Sequence, residues 1–183
     1  DPRREIYPSR EEIREDLRLL ARFWTVIRLY DSSQHAETTL NVIRAEGLEL
    51  KVLLGTDLAA EISNPQCPWG AAYDGKTLAA NRRTNRANLD RMIALAKLYD
   101  DIVIAVSIGN EASVEWTDHM VPVNQLVAYA RRVKKAVPQP VTFCDNYVPW
   151  ASKLEPLAAE LDFISVHTYP AWENFTTDNA LEY

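Results

Sequence analysis

The sequence is poor in the residues that break or staple a chain. Its 183 residues include only five glycines and ten prolines, dispersed rather than clustered, and there is no fixed-period repeat or low-complexity run. Disorder is therefore expected nowhere except at the two ends. Cys67 and Cys144 lie far apart and beside no Cys/His group of metal-ligand spacing. They read as free thiols with packing roles, or as one disulfide if the protein works outside the cytoplasm. Basic residues are not in excess: 26 acidic against 20 basic residues give a net charge of −6. They also alternate with acids, as in Arg10-Glu11-Glu12-Ile13-Arg14-Glu15-Asp16, which describes a solvated helix face rather than a phosphate-binding patch. Nucleic acid is not expected as a partner. No stretch approaches the roughly 20 apolar residues of a membrane span, and no apolar segment follows Asp1-Pro2-Arg3-Arg4-Glu5 as it would in a signal peptide. No membrane partner is expected for this chain, with a signal or anchor before Asp1 left open.

What is present is an apolar content of 47%, enough for one sizeable core and too little length for two ordinary domains. Ser9 with Glu12 forms a capping-box pattern ahead of Ile13, Leu17 and Leu20, predicting a helix over residues 9–22. The β-branched and aromatic run 25–30 predicts a buried strand. Residues 36–46 predict a helix closed by Gly47, and 50–55 the next strand. A long loop over 56–76 precedes a helix at 78–98. Residues 102–108 read as a parallel strand buried on both faces. Helices at 123–136 and 152–160 and strands at 141–144 and 163–166 follow, with the start of another helix at 181–183.

Strict alternation of strand and helix implies right-handed crossovers and a parallel sheet. A doubly wound open sheet and part of a (β/α)₈ TIM barrel both fit. Nearly every strand, however, ends in a polar or aromatic cluster: Tyr30-Asp31, Thr56-Asp57, Asn110-Glu111, Asp145-Asn146 and His167-Thr168-Tyr169. A barrel gathers all its strand ends around one mouth, whereas an open sheet gathers only those at its switch point. No Gly-x-Gly-x-x-Gly turn supports a dinucleotide site. The fold expected is an α/β (β/α)₈ barrel, incomplete at this length.

Glu111 follows the most apolar strand. A carboxyl group against a barrel wall is desolvated and held protonated, as a general acid must be. Glycoside hydrolysis needs such an acid on the leaving oxygen and a second carboxylate about 5–5.5 Å away in a retaining enzyme. Asn110 is placed to bond a sugar 2-hydroxyl. Aromatic residues near strand ends, Tyr30, Trp69, Trp116, Tyr147, Tyr169 and Trp172, are the type that packs on sugar faces, and Trp150 is expected to be structural. Taken alone, Gly109-Asn110-Glu111 is a weak signal that a loop-capping Glu would also satisfy.

The sequence resembles glycoside hydrolase family 17, the β-1,3-glucan hydrolases and glucanosyltransferases, in its bacterial branch. The resemblance rests on Ile27-Arg28-Leu29-Tyr30-Asp31, on Val106-Ser107-Ile108-Gly109-Asn110-Glu111 and on Trp116-Thr117-Asp118-His119. It also rests on Pro140-Val141-Thr142 and on Asp162 to Pro170 with Trp172-Glu173. It implies a retaining enzyme without metal or cofactor, acting on β-glucan, in which Glu111 is the acid/base and Asn110 its sugar-contacting neighbour. Tyr30, His167 and Tyr169 become substrate contacts, and Asp31, Trp116, Asp145, Asn146 and Trp172 are added as residues of the same mouth. So aligned, the chain carries the family's strands 2 to 6. Strand 1 would precede Asp1, and strands 7 and 8, the former bearing the nucleophilic Glu, would follow Tyr183. Neither Asp145 nor Glu173 takes the nucleophile's place in the family pattern. The chain by itself is expected to be inactive and prone to aggregate, and family habit implies an extracytoplasmic location.

Two other readings remain open. A non-catalytic carbohydrate-binding or scaffold domain would keep the aromatic residues without the chemistry. An aldolase-like or metal-dependent barrel is disfavoured, because no strand ends in Lys and His35, His119 and His167 lack paired ligand spacing.

Overall fold

The structure is a computed structural model that describes residues 7–172 together with Asn174, Thr176, Asp178 and Asn179. The N-terminal helix starts where the sequence supplies its cap. In α1 (Arg10–Leu20) the Ser9 N–H donates to Glu12 Oε2 at 2.7 Å, and the Glu12 N–H donates to Ser9 Oγ at 3.2 Å. Ile13 and Leu17 on one face are buried, and this face packs against α2 (Gln34–Glu46). Gly47 closes α2 at φ 61°, a left-handed conformation that costs glycine nothing.

Between these helices runs β1 (Val26–Leu29), followed by β2 (Lys51–Gly55), α3 (Gly75–Leu98), β3 (Val103–Asn110), α4 (Val123–Ala136), β4 (Val141–Asn146), α5 (Tyr147–Ser152), α6 (Glu155–Ala158) and β5 (Ser165–His167). All neighbouring strands pair in parallel, in the order β1-β2-β3-β4-β5. Alternate strand residues such as Val52, Leu54, Val106, Ile108, Val141 and Phe143 bury completely beneath the helices, where they meet Leu40, Ile43, Leu89, Met92, Leu126 and Val133.

The opposite face of the sheet carries the polar residues. Ser107 Oγ lies 3.3 Å from Cys144 Sγ, and Thr142 Oγ1 lies 3.0 Å from Ser165 Oγ. Across this face Arg28 of β1 reaches His167 of β5 with a 3.0 Å contact. In a flat sheet four inter-strand steps would hold those strands about 19 Å apart, farther than the two side chains can bridge. The sheet is therefore curled, and the five strands with their outer helices form an incomplete (β/α)₈ barrel, as the alternation and strand-end pattern implied.

Several boundaries differ from the sequence reading. The strands expected at 102–108 and 141–144 extend two residues further at their C-terminal ends, to Asn110 and Asn146, because Asn110 pairs with Cys144 of β4 and Asn146 with His167 of β5. Strand β3 is not buried on both faces throughout. Ile104 is an extra residue opposite the Val52/Leu53 step and is 44% exposed. The helix expected at 152–160 is shortened to α6, and an unexpected short helix, α5, precedes it across Lys153-Leu154, capped by Asn146, which accepts from the Val148 N–H at 3.0 Å. Phe163 and Ile164 precede β5 rather than form it. The helix expected at 181–183 lies outside the described residues, as does Glu173. Both cysteines are free and buried.

Candidate active site

The polar end of the curled sheet is built around Arg28, the one charged side chain within the apolar run that makes β1. Its guanidinium donates from Nη2 to Asn110 Oδ1 at 2.7 Å and from Nη1 to His167 Nε2 at 3.0 Å, and it lies 4.3 Å from the centre of the Tyr30 ring. Asn110 ends β3, and with its Oδ1 committed to Arg28 its amide Nδ2 has no partner among the described residues. Glu111 follows in the left-handed region at φ 46°. Residues other than glycine adopt this conformation at a cost, and it occurs disproportionately at functional sites. The turn is held because the Glu111 N–H donates to the Cys144 carbonyl at 2.8 Å. It aims the side chain back over the sheet, where Glu111 Oε1 meets His167 Nδ1 at 2.7 Å. The Glu111 side chain keeps 25% of its surface exposed, so it is not sealed against an apolar wall but half-sunk in a polar one.

His167 ends β5 and packs edge-on against Tyr169, with ring centres 5.9 Å apart. Contact with Cys144 and then with Glu111 raises its affinity for a proton above that of an ordinary imidazole, against burial and Arg28. Burial alone would push the Cys144 thiol up, but hydrogen bonds with His167 and Ser107 and the charge of Arg28 bring it below the usual thiol range. Tyr169 is pushed up by desolvation and by the nearby Glu111 and Tyr30. Tyr30, Asn110, Glu111, His167 and Tyr169 thus share one site.

The other expected site residues lie elsewhere. Asp145 is fully buried: its Oδ2 accepts from the Ser113 N–H at 3.1 Å and the Ser113 hydroxyl at 2.7 Å, and its Oδ1 accepts from the Asn146 N–H at 2.7 Å. Asn146 is buried as the cap of α5. Neither side chain is open to solvent. Their position at a strand end predicted exposure, but neighbouring N–H groups and the Ser113 hydroxyl claimed their oxygens. Asp31 turns aside, accepting from the Ser33 N–H at 2.9 Å and lining a cavity of about 400 Å³ with Asp57, Asn88 and Arg91. Trp116 and Trp172 are exposed, at 41% and 84%. Trp116 borders a small groove with Val148 and Pro149, and Trp172 sits in the turn after Tyr169. Trp150 is structural, packing edge-on at 6.0 Å from Phe143 and donating to the Ser165 carbonyl.

Arg28 was not among the expected site residues. A lone charge in the middle of a β-branched run was the available signal for Arg28. His119 donates from Nε2 to the Asn110 carbonyl at 3.1 Å and faces Asp118 and Thr117 through Nδ1. It therefore braces the strand end from the loop side. That loop is itself tied to the segment after β2, where Asn64 Nδ2 donates to the Glu115 and Thr117 carbonyls, both at 2.7 Å, and Tyr73 Oη donates to the Asp118 carbonyl.

Compared by sequence, the chain matches no family model and no curated protein. Solved structures do match. An endo-laminarinase from a Formosa strain is 25% identical with a TM-score of 0.75, over 93% of this chain and 48% of that one. A family 17 β-1,3-glucanosyltransferase from Rhizomucor miehei is 21% identical with a TM-score of 0.70, over 97% of this chain and 58% of that one. An active-site mutant of the latter was solved with laminaritriose. A β-glucuronidase from Parabacteroides merdae is more distant, at 13% identity and a TM-score of 0.57. The chain spans about half the length of the first two. The fold is glycosidase-like, and its likeness to family 17 structures agrees with the resemblance carried by the motifs.

Proposed function

We propose that the chain is a single partial catalytic domain of a retaining glycosidase or transglycosylase of family 17, acting on β-glucan with β-1,3 linkages, and that Glu111 is its acid/base. The observation that carries this reading is the placement of the Glu111 carboxyl group at a parallel strand's C-terminal end, with Asn110, His167, Tyr30 and Tyr169 around it. In the first step the proton on Glu111 passes to the glycosidic oxygen as its bond to the anomeric carbon breaks. A second carboxylate forms a bond to that carbon. In the second step water, or a sugar hydroxyl, gives its proton to Glu111 and displaces that carboxylate. The Nδ2 of Asn110 is oriented by Arg28 to donate to the sugar 2-hydroxyl, and Tyr30 and Tyr169 offer ring faces and hydroxyls beside it.

Asp145 is not the second carboxylate: it is buried and committed to Ser113 and Asn146. On the family pattern that role belongs to a Glu on a strand beyond β5. The laminarinase and the laminaritriose-bound transferase support a β-1,3-glucan as the ligand, and family habit favours an extracytoplasmic site of action.

The test is Glu111→Gln in an enzyme with a completed barrel. Activity on laminarin should fall about 10²–10⁴-fold, with smaller loss on substrates bearing an activated leaving group and partial rescue of the second step by azide. Wild-type rates on laminarin would remove Glu111 from the role. Binding of laminari-oligosaccharides with no turnover from any complete form would favour a carbohydrate-binding domain instead.

A further inference from the structure

Arg28 makes no ion pair among the described residues. It gives its donors to an amide oxygen and an imidazole nitrogen. A guanidinium can only donate, so the His167 Nε2 facing it at 3.0 Å must offer its lone pair. The single proton of the neutral ring is then on Nδ1, the nitrogen 2.7 Å from Glu111 Oε1. We propose that Arg28 is a positioning residue that locks His167 as the neutral Nδ1–H tautomer, so that the imidazole steadies Glu111 by donation without taking its proton.

The proposal rests on the reading of Glu111 as the acid/base. Over a double-displacement cycle that group alternates between carboxyl and carboxylate. Oε1 can accept from Nδ1–H in both states, which leaves Oε2 as the oxygen that carries the transferable proton. The opposite tautomer would turn a lone pair on Nδ1 toward Glu111 and offer the proton a resting place 2.7 Å away. The imidazolium would set two donors face to face at Nε2 and expel Arg28. The groups facing His167 are Arg28 from β1, Glu111 after β3, Cys144 from β4 and Tyr169 beyond β5. Cys144 and Glu111 favour a charged ring, while burial and then Arg28 oppose it; the selection of the tautomer rests on the donor geometry at Nε2.

Long-range ¹H–¹⁵N spectra of the imidazoles in an enzyme with a completed barrel, with His167 assigned by His167→Gln, test this directly. His167 should show Nδ1 protonated and Nε2 bare at neutral pH. His119, whose Nε2 donates to a carbonyl, should by contrast show Nε2 protonated. Arg28→Met should abolish the preference and let His167 take up a proton at a higher pH. A wild-type His167 found as the Nε2–H tautomer or as imidazolium at neutral pH would overturn the proposal, whatever the variant does. An unchanged spectrum in a folded Arg28→Met protein would overturn it as well. Because the spectra do not depend on turnover, failure of the tautomer lock is distinguishable from failure of Glu111 as acid/base, which Glu111→Gln reports.

Discussion

At the scale of single residues, the site depends on carboxyl groups treated in opposite ways. Glu111 is left partly open to solvent and bonded by His167, whereas Asp145, buried beneath it, is raised to about 6 by desolvation, with Glu111 adding to the rise and the Ser113 and Asn146 donors opposing it. Because the folded protein holds this proton more tightly than the unfolded chain, it binds more protons between pH 4 and 6, and the contribution of Asp145 to stability falls as pH rises through that window. Replacing it with Asn leaves one oxygen to serve donors on two sides, at a cost of about 1–3 kcal/mol. The stability advantage of wild type over Asp145→Asn should therefore be largest near pH 4 and shrink by up to about 3 kcal/mol above pH 6. Urea unfolding of both proteins across that range measures it, and a constant difference would contradict the assignment. The motif at Glu111 was legible in the sequence because an acid after an apolar strand is unusual. The roles of Asp145 and Asn146 were not, because neighbouring donors and local capping decide which way a strand-end side chain turns.

At the scale of elements, two close packings hold the strand ends in register. A Cβ added to Gly55 would stand 2.7 Å from both the Leu29 and Tyr30 carbonyl oxygens. These are backbone atoms at the end of β1 and cannot give way as a side chain would. Gly55→Ala should cost about 1–3 kcal/mol by overpacking, read as a lowered thermal midpoint. It should also alter the environment of Tyr30. The second packing is polar. Glu61, in the loop after β2, is buried against Asn85 of α3, with the Asn85 amide at 2.8 Å, and against the Tyr129 hydroxyl of α4. Burial, and then Glu61, pushes the Tyr129 phenol well above its ordinary range. Tyr129→Phe removes a donor from a buried carboxylate and should cost about 1–3 kcal/mol in chemical denaturation. The helices that make this network were predictable from periodicity, although α3 begins at Gly75 under an Asp74 cap, three residues before the apolar pattern does. The network itself joins residues more than 20 positions apart and left no local trace.

At the scale of the molecule, β1 and β5 each pair with one neighbour among the described residues. Phe23, Trp24 and Val26 beside one edge and Phe163, Ile164 and Val166 beside the other are all more than 40% exposed. Unpaired strands flanked by apolar side chains recruit other chains. The chain by itself should self-associate at micromolar concentrations and release no oligosaccharides from laminarin. Sedimentation velocity and a reducing-sugar assay check the two halves, and a monodisperse, active chain would refute both. No helix among the described residues is long and apolar enough to cross a membrane. The alternation of strands with helices, the caps at Ser9 and Gly47, and the unusual position of Glu111 were determined by sequence alone, since each follows from interactions within a few residues. That the sheet curls, that Arg28 of β1 meets His167 of β5, and that His167 rather than an apolar wall holds Glu111 were decided only by tertiary structure. Those contacts span 139 and 56 residues, and only the accumulated twist of successive strand pairings brings such distant side chains within hydrogen-bonding distance.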